Sequence, residues 1–363
     1  MLPAKYYHPV FLLIITVLGI YSFLKYEKRP RIMENQPDEQ QSAAIALTVF
    51  MALFIGLRPI SGKYFVDMGG VSKLWYWWYQ GDTYSFQWSY DNKIYDNIRA
   101  FMSTYDMSVK YFFFLIAVIY FGCMYVACKK LFPKDTLFSL VVYLTAFSTF
   151  SYGVNGFKAG SAASLFLIAV AYYQNYKIMI PMLIISWGFH HSMVMVVECF
   201  ICVYFFRKAK YYFILWMVAF FIAAFHINFF QNIFANLAED IGDDIGAGYL
   251  RGQLHGKGFR LDFIMYSVVP VLIGYYALFV KKIHSENYNI LLNLYLMTNS
   301  VWMLCMYAEF TNRIAYLSWF LHPWVMIYPF LNEKVSPRQY HIVNCIACGH
   351  LCFTLFLYLI YWG

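Results

Sequence analysis

Twelve apolar runs divide the chain, at residues 7–24, 42–57, 109–128, 136–153, 160–176, 178–191, 192–206, 211–228, 263–280, 290–308, 314–330 and 341–361. An α-helix needs about 20 apolar residues to cross the hydrocarbon core of a bilayer, at about 1.5 Å per residue. The stretch 178–206 is too long for one crossing, and the polar GFHHS at its middle divides it in two. Hydrophobic residues make up 61% of the 363 positions and charged residues 13%, so a water-soluble globule could not hide the apolar surface. The expected architecture is all-α, a polytopic helical membrane protein with about 12 transmembrane helices and two larger periplasmic loops. Residues 1–363 form a single integral membrane domain in this reading. The first run lacks a small-residue cleavage site and is followed by KYEKRPR, so it is expected to be a span and not a removed signal peptide.

The formal net charge of +8 does not point to nucleic acid. Lys and Arg concentrate in short segments between runs: 25–31, 129–134, 207–210, 281–282 and the segment with Lys334 and Arg338. Those segments are assigned to the cytoplasmic side by the positive-inside rule. The termini, the loops 58–108 and 229–262, and the corners NGFKAG, GFHHS and EFTNR then face outward. The eight cysteines lie in or beside apolar runs, so neither a disulfide framework nor a zinc site is expected despite the spacing of Cys199/Cys202 and Cys345/Cys348.

The outward corners carry basic or titratable groups at the ends of runs: Arg58, Lys158, His190 with His191, and Arg313. Such groups cost about 2.5–3.5 kcal/mol near mid-membrane, and a single one at a helix end can snorkel. Four corners together suggest an electropositive cleft for an anionic, lipid-linked ligand. Asp67 sits nearby in YFVDMGG, as a partner for Arg58, a turn residue, or a group that holds or deprotonates a sugar hydroxyl. The aromatic-rich loop 58–108, with WYWWY at 75–79, suits an interfacial belt or the stacking of sugar faces. The Gly-rich charged loop 229–262 starts acidic and ends basic, with Arg251, His255, Lys257 and Arg260 as a candidate lid over an anionic substrate. It lacks both a calcium-loop pattern and GxxxxGK[ST]. His226, His322, His341 and His350 read as packing residues, whereas His190 and His191, beside Ser192, could accept a proton from an incoming hydroxyl.

GLRPISGKYFVDMGG, NGFKAGSAASLFLIA, GFHHSMVM and TNRIAYLSWF, in that order, resemble the EpsG-like branch of bacterial Wzy-type polysaccharide polymerases. The resemblance runs from the first loop to about residue 330. It implies a C-type glycosyltransferase-like membrane fold in the bacterial inner membrane. The implied reaction joins undecaprenyl-diphosphate-linked oligosaccharide repeat units on the periplasmic side, without metal or cofactor. Membrane lipids and a chain-length regulator are the accompanying partners, and nucleic acid is not one. It assigns Arg58, Lys158 and Arg313 to the substrate diphosphate, and His190, His191 and Asp67 to orienting or deprotonating the acceptor. Lys158 stands where many members carry arginine, and lysine lacks the planar grip on phosphate. A good leaving group and no evident nucleophile–base pair imply single displacement with inversion. A lipid-linked oligosaccharide flippase and an O-antigen ligase are the rival readings. A membrane acyltransferase is disfavoured, since its donor comes from the cytoplasm.

Overall fold

The computed structural model describes residues 2–27, 40–240, 244–252 and 258–361. It divides into two compact units, one made of Met1–Val194 with Phe330–Gly363, the other of Met195–Pro329. The first unit holds α1 (Tyr7–Glu27), α2 (Gln41–Gly56), α3 (Val66–Lys73), α4 (Lys93–Thr104), α5 (Val109–Leu131), α6 (Thr136–Leu144), α7 (Phe147–Val154), α8 (Phe157–Ala171) and α9 (Tyr176–Phe189). A boundary falls inside α10 (Met193–Phe205). The second unit holds α11 (Ala209–Ala224), α12 (Phe229–Asp240), α13 (Asp244–Arg251), α14 (Leu261–Tyr275), α15 (Glu286–Leu304) and α16 (Thr311–Trp319). The other boundary falls inside α17 (His322–Asn332), and α18 (Gln339–Tyr361) returns to the first unit. No strand occurs among the described residues.

Every predicted apolar run lies largely on helix, and not every one is by itself long enough to span a bilayer. Among the described residues, five helical stretches are long and apolar enough to cross a membrane: Ala4–Lys25, Val109–Leu131, Leu261–Val280, Thr311–Asn332 and Gln339–Ile360. Two sharply bent pairs, α6 with α7 at 78° and α11 with the start of α12 at 106°, give up to seven if each pair is one span. The helices α2, α8, α9 and α10 are apolar but only 13 to 16 residues long, short of the length a crossing needs.

In the first unit α5 is the common support, with α2 on one side and α8 on another. Small residues allow the close approach. Gly56 of α2 meets the backbone of Phe114, and the Ser161 hydroxyl of α8 donates to the Ile116 carbonyl at 3.3 Å. Ser186 of α9 donates to the Ala162 carbonyl at 2.7 Å, tying α9 to α8. The α6–α7 bend turns on Ala146, whose ψ of 131° leaves the helical region. Side chains take up the carbonyls that the break exposes: Thr149 donates to Tyr143 O at 2.8 Å and Thr354 of α18 to Thr145 O at 2.6 Å. A crevice of about 10 Å³ among α1, α6 and α18, lined in part by Ser22, Thr145 and Asn344, holds none of the predicted site residues.

The second unit is organised by a proline. Pro270 inside α14 has no N–H for the Tyr266 carbonyl four residues earlier. His322 supplies the missing donor: its Nε2 lies 3.0 Å from that oxygen, and its ring stacks on Tyr266 at 3.9 Å. Beside it Asn299 is fully engaged, accepting from Trp216 Nε1 at 2.8 Å and donating to Ser267 and Ser318 at 3.1 and 3.0 Å. His322, expected to be a packing residue, is one.

Candidate active site

The first loop, 58–108, folds into α3, a turn of 3₁₀-helix at Trp75–Trp78, and α4. On α4 and its cap, Asn92, Asp96, Arg99 and Ser103 recur at helical spacing and are all buried. Asp96 accepts from the backbone N–H and the side-chain amide of Asn92, at 3.2 and 3.0 Å, and its other oxygen lies 3.5 Å from Arg99. Trp78 stacks on the Arg99 guanidinium at 4.4 Å. Burial pulls the Arg99 value below the ordinary one, while Tyr95 and Asp96 oppose the shift. Burial likewise pushes the Tyr95 phenol up, so Tyr95 is neutral.

The α4 stripe reaches the histidine corner directly. The Asn92 side-chain oxygen accepts the backbone N–H of His191 at 3.2 Å. Gly188 permits that approach, since a Cβ there would lie 2.7 Å from the Ile94 side chain. The corner itself is a helix junction. His190 ends α9, and its Nδ1 accepts the Ser192 N–H at 3.1 Å and lies 2.8 Å from the Ser192 hydroxyl. A nitrogen that accepts an N–H carries no proton, so neutral His190 holds its proton on Nε2. Both histidines and Ser192 are half-buried.

Lys158 opens α8 and is half-buried, its Nζ 5.8 Å from the centre of the Tyr95 ring. The charges acting on it are those of Asp96, Arg99, Asp91 and Asp67. Asp67 is exposed in the first turn of α3, where a carboxylate suits the helix dipole. The predicted Asp67, Lys158, His190 and His191 thus gather around α4. Sequence reasoning missed Asn92, Asp96 and Arg99, although their spacing of four and three residues was a readable signal.

Arg58 is placed differently. It is 3% exposed and joins two helix C-termini, donating to Ile55 O of α2 at 2.6 Å and to Val154 O of α7 at 3.0 Å. Burial lowers its guanidinium to about 10, with Tyr7 opposing, so it stays charged at neutral pH. Phe65 and Phe113 flank it at 5.2 and 5.8 Å.

The remaining candidates belong to the second unit. Arg313 is exposed in the first turn of α16, 4.7 Å from the Phe310 ring, and no described carboxylate pairs with it. Arg260 grips Asp262 through two bonds of 2.9 and 2.6 Å, and Arg251 is paired with Glu239. His255 and Lys257 lie outside the described residues. Among the described residues no three His, Cys, Asp or Glu side chains form a metal-ligand set.

The EpsG family profile matches residues 43–363. The chain belongs to the EpsG family. All candidate site residues of this EpsG-family chain, the α4 stripe included, fall within the matched region. No curated protein and no solved structure matches it. EpsG membership and an all-helical chain with several membrane-length helices fit a multi-pass polysaccharide polymerase of glycosyltransferase type.

Proposed function

We propose that this EpsG-family chain is a Wzy-type polymerase of the bacterial inner membrane, joining undecaprenyl-diphosphate-linked repeat units into surface polysaccharide on the periplasmic side. The observation that carries the reading is the meeting, around α4, of a lysine, two carboxylates, a buried arginine and a half-buried histidine pair.

The reaction breaks the bond between the anomeric carbon and the diphosphate oxygen of the donor. It forms a bond from that carbon to the acceptor hydroxyl, and undecaprenyl diphosphate departs. Lys158 neutralises charge developing on the leaving group. The hydroxyl proton passes to a base at His191 or Asp67. His190, with its proton on Nε2, offers a donor that orients the acceptor. Direct attack in one step inverts the anomeric centre, and cationic side chains take the place a metal would fill. Exposed Trp77 and Trp88, in the same segment, supply faces for sugar rings. Arg58 holds the α2–α7 junction.

The test is the glycan ladder of the host bacterium lacking this gene, with and without restoration. Collapse to one repeat unit, restored by the wild type and not by Lys158→Met, supports the polymerase. Long chains that persist on the carrier lipid indicate a ligase, and loss of even the single outward repeat indicates a flippase.

A further inference from the structure

We infer that Arg99 and Lys158 form one anion site for the diphosphate of the lipid carrier, and that Asp96 is an internal counter-ion which the substrate displaces from it. The identity of the diphosphate rests on the polymerase reading; the anion site and its counter-ion do not.

Both cations flank a single buried ring. Lys158 Nζ lies 5.8 Å and Arg99 Cζ 6.0 Å from the centre of Tyr95. Arg99 is 7% exposed, and its Nε has no hydrogen-bond partner among the described residues. A buried guanidinium N–H left unmatched costs free energy, and such a cost is retained where a ligand supplies the acceptor. Its one close carboxylate, Asp96, stands off at 3.5 Å, and the other oxygen of Asp96 is already taken by the two N–H groups of Asn92. Lys158 forms no hydrogen bond or ion pair with any described residue. Asp96 is the carboxylate that acts on both cations, while Asp91 and Asp67 act on Lys158 from further off. Trp78 lies over Arg99 at 4.4 Å, so the guanidinium is held against a ring while its Nε is left to bind. A guanidinium and an ammonium 6.0 and 5.8 Å from the centre of one ring are a fitting receptor for adjacent phosphates.

The test uses the purified full chain in detergent and inorganic pyrophosphate as the probe, with affinity read by calorimetry. Asp96→Asn keeps an acceptor for Asn92 but removes the competing charge, and it is expected to tighten pyrophosphate binding about tenfold. Asp96→Asn with Arg99→Gln removes both charges together, leaves no unpaired buried ion, and is expected to lose that gain. Lys158→Met weakens binding in either background. Unchanged or weaker affinity in Asp96→Asn, or a double variant that keeps the gain, overturns the site. Farnesyl diphosphate should compete with pyrophosphate, and phosphatidylglycerol should not; equal competition by phosphatidylglycerol overturns the diphosphate assignment. If pyrophosphate follows this pattern while the gene-deleted host keeps its ladder, the polymerase reading fails and the anion site stands. If the ladder collapses but pyrophosphate ignores Arg99 and Asp96, the polymerase stands and this inference fails.

Discussion

The side-chain oxygen of Asn92 accepts the backbone N–H of His191, 99 positions further along the chain, at 3.2 Å. Its amide nitrogen meanwhile donates to Asp96. One buried residue thus ties the charged stripe of α4 to the histidine corner.

Asn92→Ala removes both side-chain ties: the His191 N–H loses its acceptor and Asp96 keeps only the backbone N–H of residue 92, at about 1–3 kcal/mol of stability. Polymer formation by the purified variant is expected to fall in kcat more than in KM, because the corner is displaced while the donor site persists. Equal kcat and KM effects, or none, would deny Asn92 a positioning role.

Arg58 is expected to behave as a clasp. Arg58→Met leaves the Ile55 and Val154 carbonyls without their donor, and the thermal midpoint in detergent should drop by the equivalent of about 1–3 kcal/mol per carbonyl. Arg58→Lys recovers part of that loss. A full loss of polymer with an unchanged midpoint would return Arg58 to the substrate.

Gly188→Ala inserts a Cβ against Ile94 and should push α4 from α9, lowering polymer yield. Ile94→Ala in the same chain clears the space and should restore it. Failure of the second change to rescue would show that the Gly188 contact does not set the Asn92–His191 distance.

His190→Asn tests whether the imidazole acts or merely caps. Asparagine can accept the Ser192 N–H and preserve the helix junction. The variant is expected to fold with an ordinary thermal midpoint and to lose polymerisation at least about tenfold. Retained activity would reduce His190 to a structural cap.

The helical class was readable because the apolar runs are continuous, and each lies largely on helix. The length of each helix was not, because apolarity does not report it: α8 and α9 end at Ala171 and Phe189 after 15 and 14 residues. The break at Ala146 was also hidden, since both arms of the bend are apolar and the polar residues that heal it, such as Thr354, lie far away in sequence. Lys158, Asp67 and the histidines stood out as polar groups at the ends of runs. Asp96 and Arg99 did not, because they turn inward from a segment whose aromatic residues dominate its composition. Arg58 stood out for the same reason as Lys158, yet its partners are carbonyls, which composition cannot reveal.

Pro270 and His322 carry a consequence for descent. A lineage that replaces Pro270 with an ordinary residue frees the histidine from its duty, whereas one that loses the histidine first strands a carbonyl inside the second unit. The permitted order of change runs one way, proline before histidine. Across the relatives of this chain the two positions should therefore be inherited as a pair, and a proline without its histidine should be the rare combination.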